Sequence, residues 1–110
     1  NCPTVVFDRD HVVAVAGVQK KEFSERRVSR ALEEYLESRK NYIRSSSAEA
    51  KVFPVEGVDQ AALACSPILA SGDVTGAVAF LAPNDSAVAN EVQQNLIQAA
   101  AQFLGKQIED

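Results

Sequence analysis

Side chains suited to catalysis are scarce in this chain. His11 is the only histidine, and the two cysteines, Cys2 and Cys65, lie far apart. A zinc site needs three or four clustered ligands and a redox pair needs two neighbouring thiols, and neither spacing occurs. His11 sits in a charged turn with no serine–acid set to serve, so it reads as a surface residue. No metal, no cofactor and no catalytic residue is expected. A positive surplus is also missing. The net charge of −4 argues against direct contact with nucleic-acid phosphates or with an anionic membrane surface. No signal peptide is expected, and no apolar run is long enough to span a bilayer. Two isolated thiols suit a reducing compartment, with Cys65 a small core residue and Cys2 a terminal one. The expectation is a cytoplasmic, non-enzymatic domain.

What the chain does have is apolar content. At 110 residues and 46% hydrophobic it is long enough for one domain with a modest core. Residues 1–110 are therefore read as a single unit. The chain starts at Asn1-Cys2-Pro3 with no initiator Met, which reads as a piece of a longer protein. Its richest stretch runs from Ser66 to Leu81. Two apolar strands are joined there by Ser71-Gly72-Asp73, with Gly72 tolerating the positive φ that tight hairpins need. From Gly76 onward, small and β-branched residues suit a buried central strand. The stretch holds no nucleophile–base pair, no metal spacing and no phosphate loop.

The remaining elements follow from periodicity. Thr4–Phe7 and Val12–Ala16 read as a hairpin around Asp8-Arg9-Asp10-His11. Lys20 to Arg27 is polar and holds a short helix near Phe23. A longer helix runs from about Ser29, a good N-cap, to Arg39, with Leu32, Tyr35 and Leu36 on one buried face. Asn41 to Ala50 reads as a polar loop. Lys51–Val55 reads as an edge strand, since Pro54 cannot donate to a ladder. Central strands are expected over Ala61–Ser66 and Gly76–Ala82. The cluster Asn84-Asp85-Ser86 predicts the cap of a final helix reaching Ile108. The order β-β-α-β-β-β-α gives the fold class: α+β, a central antiparallel sheet with flanking helices.

Four sequence words in this order carry a resemblance: Phe7-Asp8-Arg9-Asp10 with the strand to Gly17; Lys20-Lys21-Glu22-Phe23; Ser66 to Asp73 with Gly76-Ala77-Val78; and Ala100-Ala101-Gln102-Phe103-Leu104-Gly105-Lys106-Gln107. Together they cover about Thr4 to Glu109. The chain resembles a GAF domain, and within that family the sensor halves of AbrB-like bacterial sporulation regulators. The resemblance implies a module that senses a small molecule and helps assemble a homo-oligomer, dimer or tetramer. DNA would be bound only through an N-terminal domain absent from this chain. It also implies a helix before the first strand, lying beside the last helix. Other GAF chemistries are not supported. The Asn-Lys and Phe-(three residues)-Asp-Glu words of cyclic-nucleotide binders are missing, no cysteine is placed for a bilin, and two distant thiols do not suffice for methionine sulfoxide reduction.

Strand alternation groups Ala64, Ser66, Ala77 and Ala79 in one set, and Leu63, Cys65, Val78 and Phe80 in the other. The first set is small. It allows either close docking of a helix, with Ala99 and Ala100 completing the contact, or a pocket. The candidate pocket lies under the Ser29–Arg39 helix and comprises Leu32, Tyr35, Phe53, Ala64, Ser66 and Ala77. The basic cluster Lys20, Lys21, Arg26, Arg27 and Arg30 reads as a solvated face with pairs such as Glu22–Arg26, or else as a site for an anionic effector or a surface that docks on the DNA-binding half. On the last helix the apolar stripe is too wide for one sheet contact. Either the helix implied before the first strand or a second subunit covers the excess. With self-association the preferred reading, Val92, Leu96, Ala100, Phe103 and Leu104 are the candidate oligomer interface. The alternatives to a sensor are a purely structural oligomerisation domain and, behind it, a small redox enzyme using Cys65.

Overall fold

The computed structural model describes residues 2–84 and 86–109, the side chain of residue 109 excepted. Its centre is the β-hairpin of β4 (Ala62–Ala70) and β5 (Asp73–Leu81). Ala70 faces Asp73 across a two-residue turn in which Ser71 (φ 52°) and Gly72 (φ 83°) both have positive φ, the conformation whose twist matches that of the strands. β1 (Thr4–Phe7) pairs with β5, β2 (Val12–Ala16) with β1, and β3 (Tyr42–Ile43) with β4, all antiparallel. The sheet order is β2-β1-β5-β4-β3. The expected α+β class, an antiparallel sheet with flanking helices compatible with a GAF-like fold, is the one observed.

Helices α1 (Lys20–Phe23) and α2 (Arg30–Glu37) lie on one face, and α3 (Glu91–Glu109) on the other. The Ser29 hydroxyl caps α2 by accepting from the Leu32 amide at 3.1 Å, as its position predicts. Beneath α2, Phe7, Phe23, Leu32, Leu36, Tyr42 and Val55 fill the space over Ala62, Cys65, Ala77 and Ala79. Against α3 pack Leu63, Ala64, Ile68, Val78 and Phe80, with Ile97 and Ala101 supplied by the helix.

Three expectations are corrected. Lys51–Val55 is not a strand of the sheet; the third strand is Tyr42–Ile43, inside the stretch read as a loop. Val55 makes only an isolated bridge with Val28, and the Pro54 carbonyl accepts from the Ser29 amide at 2.8 Å. Proline contributes an acceptor without a donor, so the run braces the start of α2 instead of entering a ladder. The last helix begins at Glu91, later than the Asn84-Asp85-Ser86 cluster suggests. Asn90 Oδ1 accepts from the Gln93 amide at 2.7 Å and Gln93 Oε1 from the Asn90 amide at 2.9 Å, a reciprocal capping box. Asn84 instead closes a turn on Ser86, while Asp85 lies outside the described residues.

The third correction concerns the two sets of strand residues. An uninterrupted hairpin from the Ser71-Gly72 turn would place Ser66 opposite Ala77 and Ala64 opposite Ala79. The register shifts by one residue between Ile68 and Leu69, and beyond it Ser66 faces Val78, Cys65 faces Ala79 and Ala64 faces Phe80. Thr75 is the extra residue, its hydroxyl donating to the Ile68 carbonyl at 3.1 Å. One inserted residue moves the partners beyond it to the opposite face as far as Ala64. A second shift between Ala62 and Ala64 returns Ala62 to Leu81 and leaves Leu63 and Ala64 both on the α3 face.

Candidate functional site

The bulge divides the six candidate pocket residues. Leu32, Tyr35 and Ala77 belong to the α2 face, while Ala64 packs on the α3 face and Ser66 lines a cleft against α3. Phe53 is partly exposed on the connecting segment. The space under α2 is occupied by side chains, with Leu32, Ala62, Ala77 and Ala79 fully buried.

Two open clefts flank this core. The larger, about 670 Å³, lies between α2, the β1–β2 turn and the start of β5. Four carboxylates (Asp10, Glu33, Glu37 and Asp73) and two arginines (Arg9 and Arg39) line it. The smaller, about 350 Å³, lies between the end of β4 and α3, and includes Ser66, Asn41, Gln98 and Gln102. The Ser66 hydroxyl donates to Asn41 Oδ1 at 2.8 Å. Arg39 borders both clefts, and its Nη2 donates to the Gly72 carbonyl at 3.1 Å.

The candidate interface on α3 separates into two stripes. Ala100 and Leu104 are half-buried against the sheet, whereas Val92, Leu96 and Phe103 are 64, 52 and 63% exposed. With the exposed Ala99, the outer residues recur at spacings of four, three and four, the seam of a helix that meets another helix. Among the described residues no group of three metal-ligating side chains occurs, and no helix is long and apolar enough to cross a membrane.

Among the described residues, Asp8 and Cys65 have clearly shifted titrations with local causes. Asp8 Oδ1 accepts from the amides of His11 and Asp10 at 2.7 and 2.8 Å. These bonds, that of His11 foremost, hold its carboxyl below the usual value. Cys65 is wholly enclosed, and burial pushes its thiol up to about 12, the opposite of what a nucleophilic thiolate requires. Cys2 is half-buried and its Sγ receives Gln93 Nε2 at 2.8 Å. In the basic cluster, Arg26 does reach Glu22, but Nε donates to the main-chain carbonyl at 2.9 Å.

Arg44 is the functional-type residue that pattern reading missed. It is 1% exposed, with Nη1 on the Glu49 carbonyl at 3.0 Å and Nη2 on the Ser47 carbonyl at 3.1 Å. Its neighbour Tyr42 is buried as well, and among the described residues its hydroxyl has no hydrogen-bond partner of good geometry. Burial raises the Tyr42 pKa against the opposing pull of Arg44. A lone arginine in a polar run carries no signal of burial; only the alternation Tyr42, Arg44 hints at an inward face.

An antiparallel platform with two clefts and an uncovered apolar helix face defines an α+β domain on which no catalytic set converges among the described residues. Sequence comparison places it more closely. Residues 1–109 match the family described as "Stage V sporulation protein T C-terminal, transcription factor", and the chain belongs to that family. It is 30% identical over 107 residues to stage V sporulation protein T of Bacillus subtilis (strain 168), an alignment covering 96% of this chain and 58% of that protein. The chain thus spans little more than half the length of its curated relative, and its family is one of transcription factors.

Proposed function

We propose that this domain is the GAF-type regulatory module of a bacterial sporulation transcription regulator, in which it joins copies of the protein and responds to a small effector. The observation that carries the assembly role is the outer face of α3, where Val92, Leu96 and Phe103 are each more than half exposed. Covering one such side chain is worth about 1.5–3 kcal/mol, so several together favour a partner helix. A second copy supplies one with the same spacing. DNA contact is assigned to the remainder of such a regulator, in keeping with the negative charge of this chain.

The effector acts through population shift. A molecule seated against α3 favours one placement of that helix, and hence one arrangement of the assembled copies, only as far as its affinity differs between the two placements. Sedimentation of Phe103→Asp tests the assembly role. The variant is expected to be monomeric where the parent associates; full association of the variant removes this helix face from the interface.

A purely structural oligomerisation domain is the second reading, favoured by the closely filled space under α2. It predicts that no small molecule raises the melting temperature, whereas an effector that binds the folded state does so in proportion to its concentration.

A further inference from the structure

Arg39 occupies a position that glycine normally takes. It follows the last turn of α2 with φ 55°. Its amide donates to the Leu36 carbonyl at 3.1 Å, and the Lys40 amide to the Tyr35 carbonyl at 3.0 Å. This pair of bonds is the Schellman closure, whose left-handed residue is usually glycine because a Cβ is strained there. The side chain at this site reaches the Gly72 carbonyl of the β4–β5 turn and borders the 350 Å³ cleft against α3. Among the described residues, Arg39 is the only charged group lining that cleft. The larger cleft, by contrast, holds four carboxylates.

The rest of the small cleft is matched to the same charge. Ser66, 5% exposed, donates to Asn41 Oδ1. That bond turns the amide oxygen toward Ser66 and leaves the Asn41 NH2 donors to meet a ligand. Gln98 and Gln102 on α3 offer further amides, and Pro67, Leu69 and Ala101 supply aliphatic surface. Among the described residues no aromatic ring lines the cleft, so they offer no stacking platform of the kind a nucleobase uses. A guanidinium, side-chain amides and an aliphatic wall suit a carboxylate on an aliphatic body.

We propose that this cleft binds a small aliphatic carboxylic acid, its carboxylate on Arg39 and Asn41 and its body against Pro67, Leu69 and Ala101. Two of the polar residues belong to α3, one residue away from Ala99 and Phe103 of the outer stripe. An acid held there restrains the helix that we assign to self-association, and this link rests on the proposed assembly role, whereas binding itself does not.

The test uses the 110-residue chain with two matched probes, N-acetyl-L-leucine and its neutral analogue N-acetyl-L-leucinamide, followed by NMR. The acid is expected to shift the side-chain amides of Asn41, Gln98 and Gln102 and the main-chain amides of Ser66 and Leu69 saturably. The neutral analogue is expected to bind at least about tenfold more weakly, since an ionised acceptor strengthens the guanidinium contact. Arg39→Gly places the preferred residue in the left-handed turn, so it is expected to fold with an unreduced melting temperature while losing the preference for the acid. Equal affinity for both probes, shifts confined to the larger cleft, no saturable shift, or an unchanged preference in Arg39→Gly would each overturn the proposal. Repeating the titration on Phe103→Asp separates the two ideas: retained binding in a monomer supports the site, whereas a parent chain that never associates defeats the assembly role alone.

Discussion

Cys65 shows how burial determines what a reactive group can do. Its thiol is enclosed on the α2 face opposite Ala79, and desolvation raises its pKa to about 12. Unfolding returns it to an ordinary thiol that ionises near pH 8.5. Between that value and about 12 the unfolded chain therefore releases a proton that the folded chain retains. Stability contributed by keeping the thiol neutral is complete below the lower limit and falls as pH rises through this window. Urea denaturation of the parent against Cys65→Ala is expected to show a steeper alkaline loss in the parent. Parallel profiles would mean that the thiol is open to solvent. Cys65→Ser is expected to cost about 1–3 kcal/mol, because a hydroxyl without a partner is left in apolar surroundings. Burial of Cys65 was legible in the apolar pattern around it. Burial of Arg44 was not, because its partners are the carbonyls of Ser47 and Glu49, and main-chain acceptors leave no mark on a sequence.

Elements were legible where one local rule decided them. The Ser71-Gly72 turn, the Ser29 cap and the spacing of Leu32 and Leu36 each specify a conformation within a few residues. Register was not legible. The shift at Thr75 depends on how β5 meets β4, and it moved Ala64 and Ser66 away from Ala77, dividing the expected pocket between two faces. The start of α3 was not legible either: the Asn84-Asp85-Ser86 cluster looked like its cap, whereas the reciprocal bonds of Asn90 with Gln93 set it. Gly105 gives the sharpest prediction at this scale. In an isolated helix Gly→Ala stabilises by about 1 kcal/mol. Here a Cβ at position 105 would lie 2.2 Å from the Leu69 carbonyl oxygen, so α3 must lift from β4. Gly105→Ala is therefore expected to destabilise by about 1–3 kcal/mol, and chemical denaturation reads the sign directly. A stabilised variant would mean that α3 is not seated closely on β4. The same substitution widens the small cleft and is expected to weaken its binding of N-acetyl-L-leucine.

For the whole molecule, the two stripes of α3 face different surroundings. Ile97 and Ala101 anchor the helix to the sheet, and Val92, Leu96 and Phe103 face outward. If the outer stripe meets a second copy, folding and association share one free energy, and apparent stability rises with protein concentration. The melting temperature of the parent chain is therefore expected to climb over a range of about 1 to 100 µM, by the mass-action term that links binding to stability. Phe103→Asp should remove that dependence. It should also leave the melting temperature at the dilute end nearly unchanged, because position 103 is 63% exposed in the single chain and exposed substitutions change stability by within about 0.5 kcal/mol. A variant that melts lower at every concentration would instead make Phe103 part of the monomer's own core. A parent whose melting temperature is flat across the range would leave the outer stripe without a second copy as its partner.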